Sequence, residues 1–244
     1  MPAKSNAGLS EKNYRAIFFD AGGTLFKPHP SVGAVYAQVA KRYGMVVQEK
    51  EIERLFREEF ARRDRLASPR AHSNEKNEKI WWKDLVKNVF ERATSLRAFD
   101  AFFDELYDWF ARAEVWKLYE DALPLLKTLQ GKKIVLGIVS NWDSRLFSIC
   151  EGMGVKPYFD FILASCVVGS AKPDAGIFKE ALRLAHCVPE EALHVGDSVE
   201  NDFFGAKRAG LNALLVNRNG RETGNVETIR SLDGVLEYLK KVPE

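Results

Sequence analysis

Five short apolar runs punctuate the chain, at residues 16–19, 134–139, 161–164, 192–195 and 213–216. Each is four to six residues long and apolar almost throughout, His194 being the exception. Uninterrupted runs of that length suit strands covered on both faces, as in a parallel sheet. Between the later runs lie amphipathic helical stretches at 144–151, 174–185 and 201–209. Strand, helix, strand in that spacing is the βαβ unit. The pattern therefore predicts an α/β fold with a doubly wound, Rossmann-like parallel sheet core.

Residues 31–115 read differently. They hold no strand-like run but four helical periodicities, the clearest carrying Phe99, Phe102, Phe103, Leu106, Tyr107 and Phe110. The others carry Val35, Val39 and Tyr43; Ile52, Leu55, Phe56 and Phe60; and Trp81, Trp82, Leu85, Val86 and Val89. Apolar stripes this wide need one another, which predicts a small all-helical bundle inserted into the α/β domain. The expected division is a polar N-terminal tail at 1–14, a core domain at 15–27 and 119–244, and the helical insertion at 28–118.

Composition narrows the classes without choosing among them. Of 244 residues, 46% are hydrophobic and 29% charged, ordinary for a globular protein. With 36 basic and 34 acidic side chains the net charge is +2, which singles out neither nucleic acid nor a membrane surface as partner. The apolar runs are too short to span a bilayer, and the polar start has no signal-peptide core, so a cytoplasmic protein is expected. Three cysteines without C-x-x-C spacing (Cys150, Cys166 and Cys187) read as buried thiols, and no His/Cys cluster suggests zinc.

In an open parallel sheet, ligands bind beyond the carboxyl ends of the strands. The first run ends at Asp20, the second at Ser140 and Asn141, and the fourth at Gly196 and Asp197; a loop after the third presents Lys172. With Asp202 these groups would gather along one edge. Asp20 can attack an electrophile and form a covalent intermediate. Backbone N–H groups of the turn at Gly22, Gly23 and Thr24, together with Ser140, can donate to phosphate oxygens. Lys172 can offset the charge of nucleophile and substrate. Asp20 and Asp197 can hold a hard, oxygen-seeking ion such as Mg²⁺.

Four motifs in this order resemble those of the haloacid dehalogenase-like (HAD) superfamily: F-F-D-A-G-G-T-L-F at 18–26, I-V-S-N at 138–141, Lys172 in S-A-K-P-D, and H-V-G-D-S-V-E-N-D at 194–202. The resemblance covers nearly the whole chain after residue 14. It implies a hydrolase with Asp20 as nucleophile, and Mg²⁺ held by Asp20, Asp197 and the backbone carbonyl of Gly22. It implies that Ser140 and Lys172 bind the transferred group and that Asp202 supports Lys172 or a metal-bound water. It makes the helical insertion a cap that closes over the site, and the substrate a small phosphorylated metabolite.

The sequence departs from that family at Gly22, where its phosphatases carry a second aspartate for acid–base work. A glycine can neither protonate a leaving oxygen nor activate water, a loss worth about 10² to 10⁴ in rate. His29, Lys27, Asp143 and Glu200 are candidates to replace it, and Gly22→Asp is expected to raise turnover of alkyl phosphates. Three further readings stay open: a catalytically quiet HAD-fold binding protein, a 2-haloacid dehalogenase, and a phosphonate hydrolase that uses a cap lysine (Lys76, Lys79, Lys83 or Lys87). Trp142 suits either the mouth of the site or the core. His194 reads as a satisfied core group, and His72 as a loop residue. Oligomeric state has no signature in the sequence.

Overall fold

A computed structural model describes residues 14–65 and 73–241. Residues 1–13 of the expected tail, and His72, lie outside them. Six parallel strands form the main sheet, in the order β5-β4-β1-β6-β7-β8. They are β1 (Ala16–Phe19), β4 (Val135–Ser140), β5 (Phe161–Ala164), β6 (Ala192–Gly196), β7 (Asn212–Val216) and β8 (Thr228–Ile229). The chain runs outward from β1 through β4 to β5, then returns to the other flank of β1 and continues through β6 and β7 to β8. The strand order reverses at β1, where Asp20 follows.

Alternation along each strand explains why the runs read as continuously apolar. Ile17 and Phe19 face one core with Leu136, Ile138, Leu193, Val195, Leu214 and Val216. Ala16 and Phe18 face the opposite core with Val139, Ala192, Ala213 and Leu215. Successive side chains point to opposite faces of a strand, so burying both faces requires an apolar residue at every position. The first face is covered by α5 (Ala122–Gln130), α6 (Arg145–Gly152) and α10 (Asp233–Lys241), through residues such as Leu125, Ile149 and Val235. The second is covered by α8 (Ala175–Ala185) and α9 (Gly205–Arg208), through Ile177, Phe178 and Ala206. The short α7 (Ser165–Val168) follows β5.

Between β1 and β4 the chain leaves the sheet. Four helices, α1 (Val32–Arg42), α2 (Glu49–Arg65), α3 (Glu75–Glu91) and α4 (Phe99–Trp109), pack around a core of their own. That core includes Val35, Val39, Ile52, Leu55, Leu85, Val89, Phe102 and Leu106, as the four stripes predict, and Phe90 besides. Two helix starts are capped by side chains: Ser31 Oγ accepts from the Ala34 amide at 3.0 Å and Asn74 Oδ1 from the Asn77 amide at 2.9 Å. Phe60, at the end of the second stripe, is exposed rather than core. The two crossings between helices and sheet form a short antiparallel ribbon, β2 (Phe26–Pro28) with β3 (Trp116–Leu118). The sequence pattern did not predict that ribbon, because three-residue strands carry no readable period.

The register brings the polar strand ends together. Phe19 pairs with Ile138 on one side and Val195 on the other, so Asp20, Ser140 and Asp197 emerge at the same edge. The stretch after β6 begins with a π-helical turn at Val199–Phe204, ahead of α9, where the sequence pattern predicted α-helix from residue 201. Such widened turns recur at functional sites. This one carries Asp202 back over Gly196, where a Cβ would lie 2.1 Å from the Asp202 carboxyl carbon. No helix among the described residues is long and apolar enough to cross a membrane.

Candidate active site

Lys172 is the hub of the cluster. Its Nζ donates to Asp20 Oδ1 at 2.6 Å and to Asp202 Oδ1 at 2.5 Å, with all three side chains buried or nearly so. Burial opposes the lysine's charge, but the two carboxylates outweigh it and hold Lys172 above its ordinary value. Ser140 Oγ donates to the same Asp20 Oδ1 at 2.9 Å. Among the described residues no hydrogen bond engages Asp20 Oδ2, which leaves that oxygen for a ligand or an electrophile. Burial pushes the Asp20 carboxyl up, Lys172 pulls it down and Asp202 raises it again, so the net shift is upward.

Asp202 is held from every side. Besides Lys172, its Oδ1 lies 2.9 Å from His194 Nε2, and its Oδ2 accepts from the Ser198 amide at 2.9 Å. Burial raises its pKa, yet Lys172 and His194 prevail and leave it well below the usual carboxylate range. Burial first, and Lys172 next, keep His194 below its ordinary value, so Nε2–H of a neutral ring is the donor. Its other nitrogen, Nδ1, is buried with no partner among the described residues, which corrects the expectation of a satisfied core histidine. The ring packs edge-on against Phe178 at 5.2 Å between centroids.

Asp197 is the third acid. One carboxylate oxygen from each of Asp20, Asp197 and Asp202 lies within 4.8 Å of the others. Burial, and then the charges of Asp20 and Asp202, push Asp197 well above the carboxylate range. Three carboxylates against one lysine leave a formal charge of −2, which a divalent ion matches. The donors are hard oxygens, and Asp20 Oδ2 and Asp197 are uncommitted, so the residues present fit Mg²⁺. Asp202 has both oxygens already engaged.

The turn after Asp20 needs two corrections. Gly23 adopts φ +84, and a Cβ there would fall 2.4 Å from Asp197 Oδ2, so glycine is required. However, its N–H donates to the Phe26 carbonyl at 2.8 Å and is not available to a substrate; the amides of Gly22 and Thr24 have no backbone acceptor among the described residues. Thr24 is fully buried with Oγ1 unpartnered among the described residues, a place inside the turn rather than on its surface. Asn141 does not face the cluster with a free amide either. It clasps the Lys172 backbone, accepting from the Lys172 N–H at 2.7 Å and donating to its carbonyl at 2.8 Å.

At Gly22 an added side chain would meet an obstacle. A Cβ there would lie 2.9 Å from Trp142 Cζ3 and 3.4 Å from Cη2, so the indole already occupies the space. The candidate replacements are committed elsewhere or exposed. Asp143 is buried against Arg145 (2.7 Å) and Tyr107 (2.9 Å), Glu200 pairs with Arg208 on the surface, and Lys27 and His29 are exposed. Of the cysteines only Cys150 is fully buried, its thiol pushed up to about 12 by that burial; Cys166 and Cys187 are half-buried.

One further group escaped the sequence pattern. Arg218, two residues past β7, donates to both Asp121 oxygens at 2.7 and 3.0 Å and to the Thr24 carbonyl at 2.9 Å. Its guanidinium lies 3.7 Å from the Tyr119 ring centroid. It therefore pins the turn that follows Asp20. Its position beyond a strand's carboxyl end was the available signal.

Similarity to known proteins agrees with this arrangement. The model of the haloacid dehalogenase-like hydrolase family matches residues 14–210. The chain belongs to the haloacid dehalogenase-like hydrolases. It is 35% identical over 204 residues to haloacid dehalogenase-like hydrolase domain-containing protein 3 of Mus musculus, covering 83% of this chain and 81% of that protein. A HAD phosphatase from Thermococcus onnurineus superposes with a TM-score of 0.66 at 26% identity, over 92% of this chain and 97% of that one. The L-2-haloacid dehalogenase of Xanthobacter autotrophicus shares the fold, with a TM-score of 0.71 at 18% identity, over 95% of this chain and all (100%) of that one.

Proposed function

We propose that this hydrolase is a Mg²⁺-dependent phosphohydrolase that acts on a small phosphorylated metabolite through a phosphoryl intermediate on Asp20. The observation that carries this reading is the single lysine shared by Asp20 and Asp202 beside Asp197, a cluster two positive charges short of neutral. The Asp20 carboxylate is the attacking group, held through Oδ1 by Lys172 and Ser140. Lys172 and Ser140 hold Asp20 in place, and with the amides of Gly22 and Thr24 they can receive the transferred phosphoryl oxygens. Asp20 and Asp197 would hold the ion, which when bound offsets their charge and polarises a phosphate oxygen. The four-helix insertion is the natural cap, excluding water during transfer.

A dehalogenase reading draws support from Gly22, because halide departs without a proton. The Asp197 carboxylate speaks for a cation and against it. The test is hydrolysis of p-nitrophenyl phosphate and acetyl phosphate with and without Mg²⁺, using Asp20→Asn as blank. Metal-dependent turnover that vanishes in the variant is expected. Equal inactivity of both across a phosphate panel would favour a HAD-fold binding protein, and metal-free chloride release from 2-chloropropionate would favour the dehalogenase.

A further inference from the structure

Asp20 and Ser140 are joined by a hydrogen bond, and two residues beyond each lie Gly22 and Trp142. The Trp142 indole stands where any side chain at position 22 would begin, 2.9 Å from the Cβ site. A carboxylate at 22 needs room for three more heavy atoms in the same direction. Yielding by the indole is expensive, because it is held at both ends. Its ring packs on Phe26 at 5.8 Å and Trp116 at 5.1 Å between centroids, and Trp116 packs on Phe110 at 5.7 Å. Its backbone is bound too: its N–H donates to Ser165 Oγ at 3.2 Å, and its carbonyl accepts from Ser165 Oγ at 3.3 Å and the Cys166 amide at 3.2 Å. Trp142 as a residue is only partly buried.

From this contact we infer that Trp142 is a specificity-determining residue that replaces the proton donor with an aromatic wall. The substrates this selects are phosphate monoesters or anhydrides of acidic, flat leaving groups, the aryl and acyl phosphates. This inference rests on the phosphohydrolase reading. In the first step the Asp20 carboxylate bonds to phosphorus, and the bond from phosphorus to the leaving oxygen breaks. That oxygen keeps the electron pair and departs as phenolate or carboxylate, with no proton required. In the second step water bonds to phosphorus, the bond from phosphorus to the Asp20 oxygen breaks, and Asp20 is regenerated as carboxylate. The water's protons leave on the phosphate, which sheds one to solvent. The flat face of an aryl or acyl group can lie against the indole, whereas an alkoxide leaving group would find neither a proton nor a polar partner there.

The deciding measurement is kcat/KM, with Mg²⁺ present, for a series of aryl phosphates of increasing phenol pKa, together with acetyl phosphate and an alkyl phosphate. Wild type is expected to lose rate steeply along the series and to turn over the alkyl ester about 10² to 10⁴ more slowly than the best aryl ester. Gly22→Asp alone should gain nothing on the alkyl ester. Gly22→Asp with Trp142→Gly should recover about 10²-fold on it and flatten the series. Wild-type rates within about tenfold for aryl and alkyl esters overturn the inference while leaving the phosphohydrolase reading intact, and so does a gain from Gly22→Asp alone. Those two results do not depend on the double variant folding. No turnover of any ester above the Asp20→Asn blank overturns both.

Discussion

Lys172 and Asn141 hold each other by two backbone-to-side-chain hydrogen bonds, 2.7 and 2.8 Å long, across the gap between β4 and the loop after α7. The lysine that serves Asp20 is thus aimed by a residue that makes no hydrogen bond to Asp20 among the described residues. Asn141→Ala should leave the fold standing but release the Lys172 backbone. A misplacement on the order of 1 Å at such a site costs about 10²-fold, so kcat should fall by about that much, with KM changing less. Steady-state kinetics on p-nitrophenyl phosphate check this. A variant as active as wild type would mean that the loop holds Lys172 without the clasp.

His194 is buried and neutral in the fold, with its pKa below the ordinary value near 6.5. As pH falls past that value the unfolded chain takes up a proton that the folded ring resists. The stability tied to His194 is therefore fully present above about pH 6.5 and is lost on going lower. Thermal melts from pH 7.5 to 5 should show wild type losing Tm faster than His194→Gln, whose amide can still donate to Asp202. Parallel curves would show that another group carries the acid sensitivity.

Arg218 grips Asp121 with two bonds and the Thr24 carbonyl with a third while lying on Tyr119. A lysine cannot reproduce that planar fork. Arg218→Lys should cost about 1–3 kcal/mol in urea unfolding, the range for buried hydrogen bonds to charge. It should also lower kcat/KM about tenfold by loosening the turn after Asp20. Retained activity beside reduced stability would confine Arg218 to a structural part.

How much of this could be read from the chain depends on how far apart the interacting residues lie. The five long strands fell within one residue of their runs, because burial on both faces demands continuous apolar sequence. The four helices of the insertion were legible by period for the same kind of reason. Asp20 and Asp197 were legible because each directly follows a strand's carboxyl end. Lys172, in the loop after α7, and Asp202, in the π-helical turn, were legible only through the order of the motifs. Trp142 was ambiguous, since its contact with Gly22 joins residues 120 apart in number and leaves no local pattern. Arg218 was hidden likewise, its partner Asp121 lying 97 residues away. His194 was masked by the apolar run around it. The β2–β3 ribbon and the π-helical turn are too short for any period to show.

The ribbon has a mechanical consequence. Both passages of the chain between helices and sheet run through it, and Phe26 at its root accepts the Gly23 amide beside Asp197. A swing of the helical insertion that bends the ribbon must also tug on that hydrogen bond. If the insertion moves as the proposed cap, its hinge and the seat of the turn after Asp20 share one joint. Opening such a cap and relaxing that turn would then be one movement rather than two.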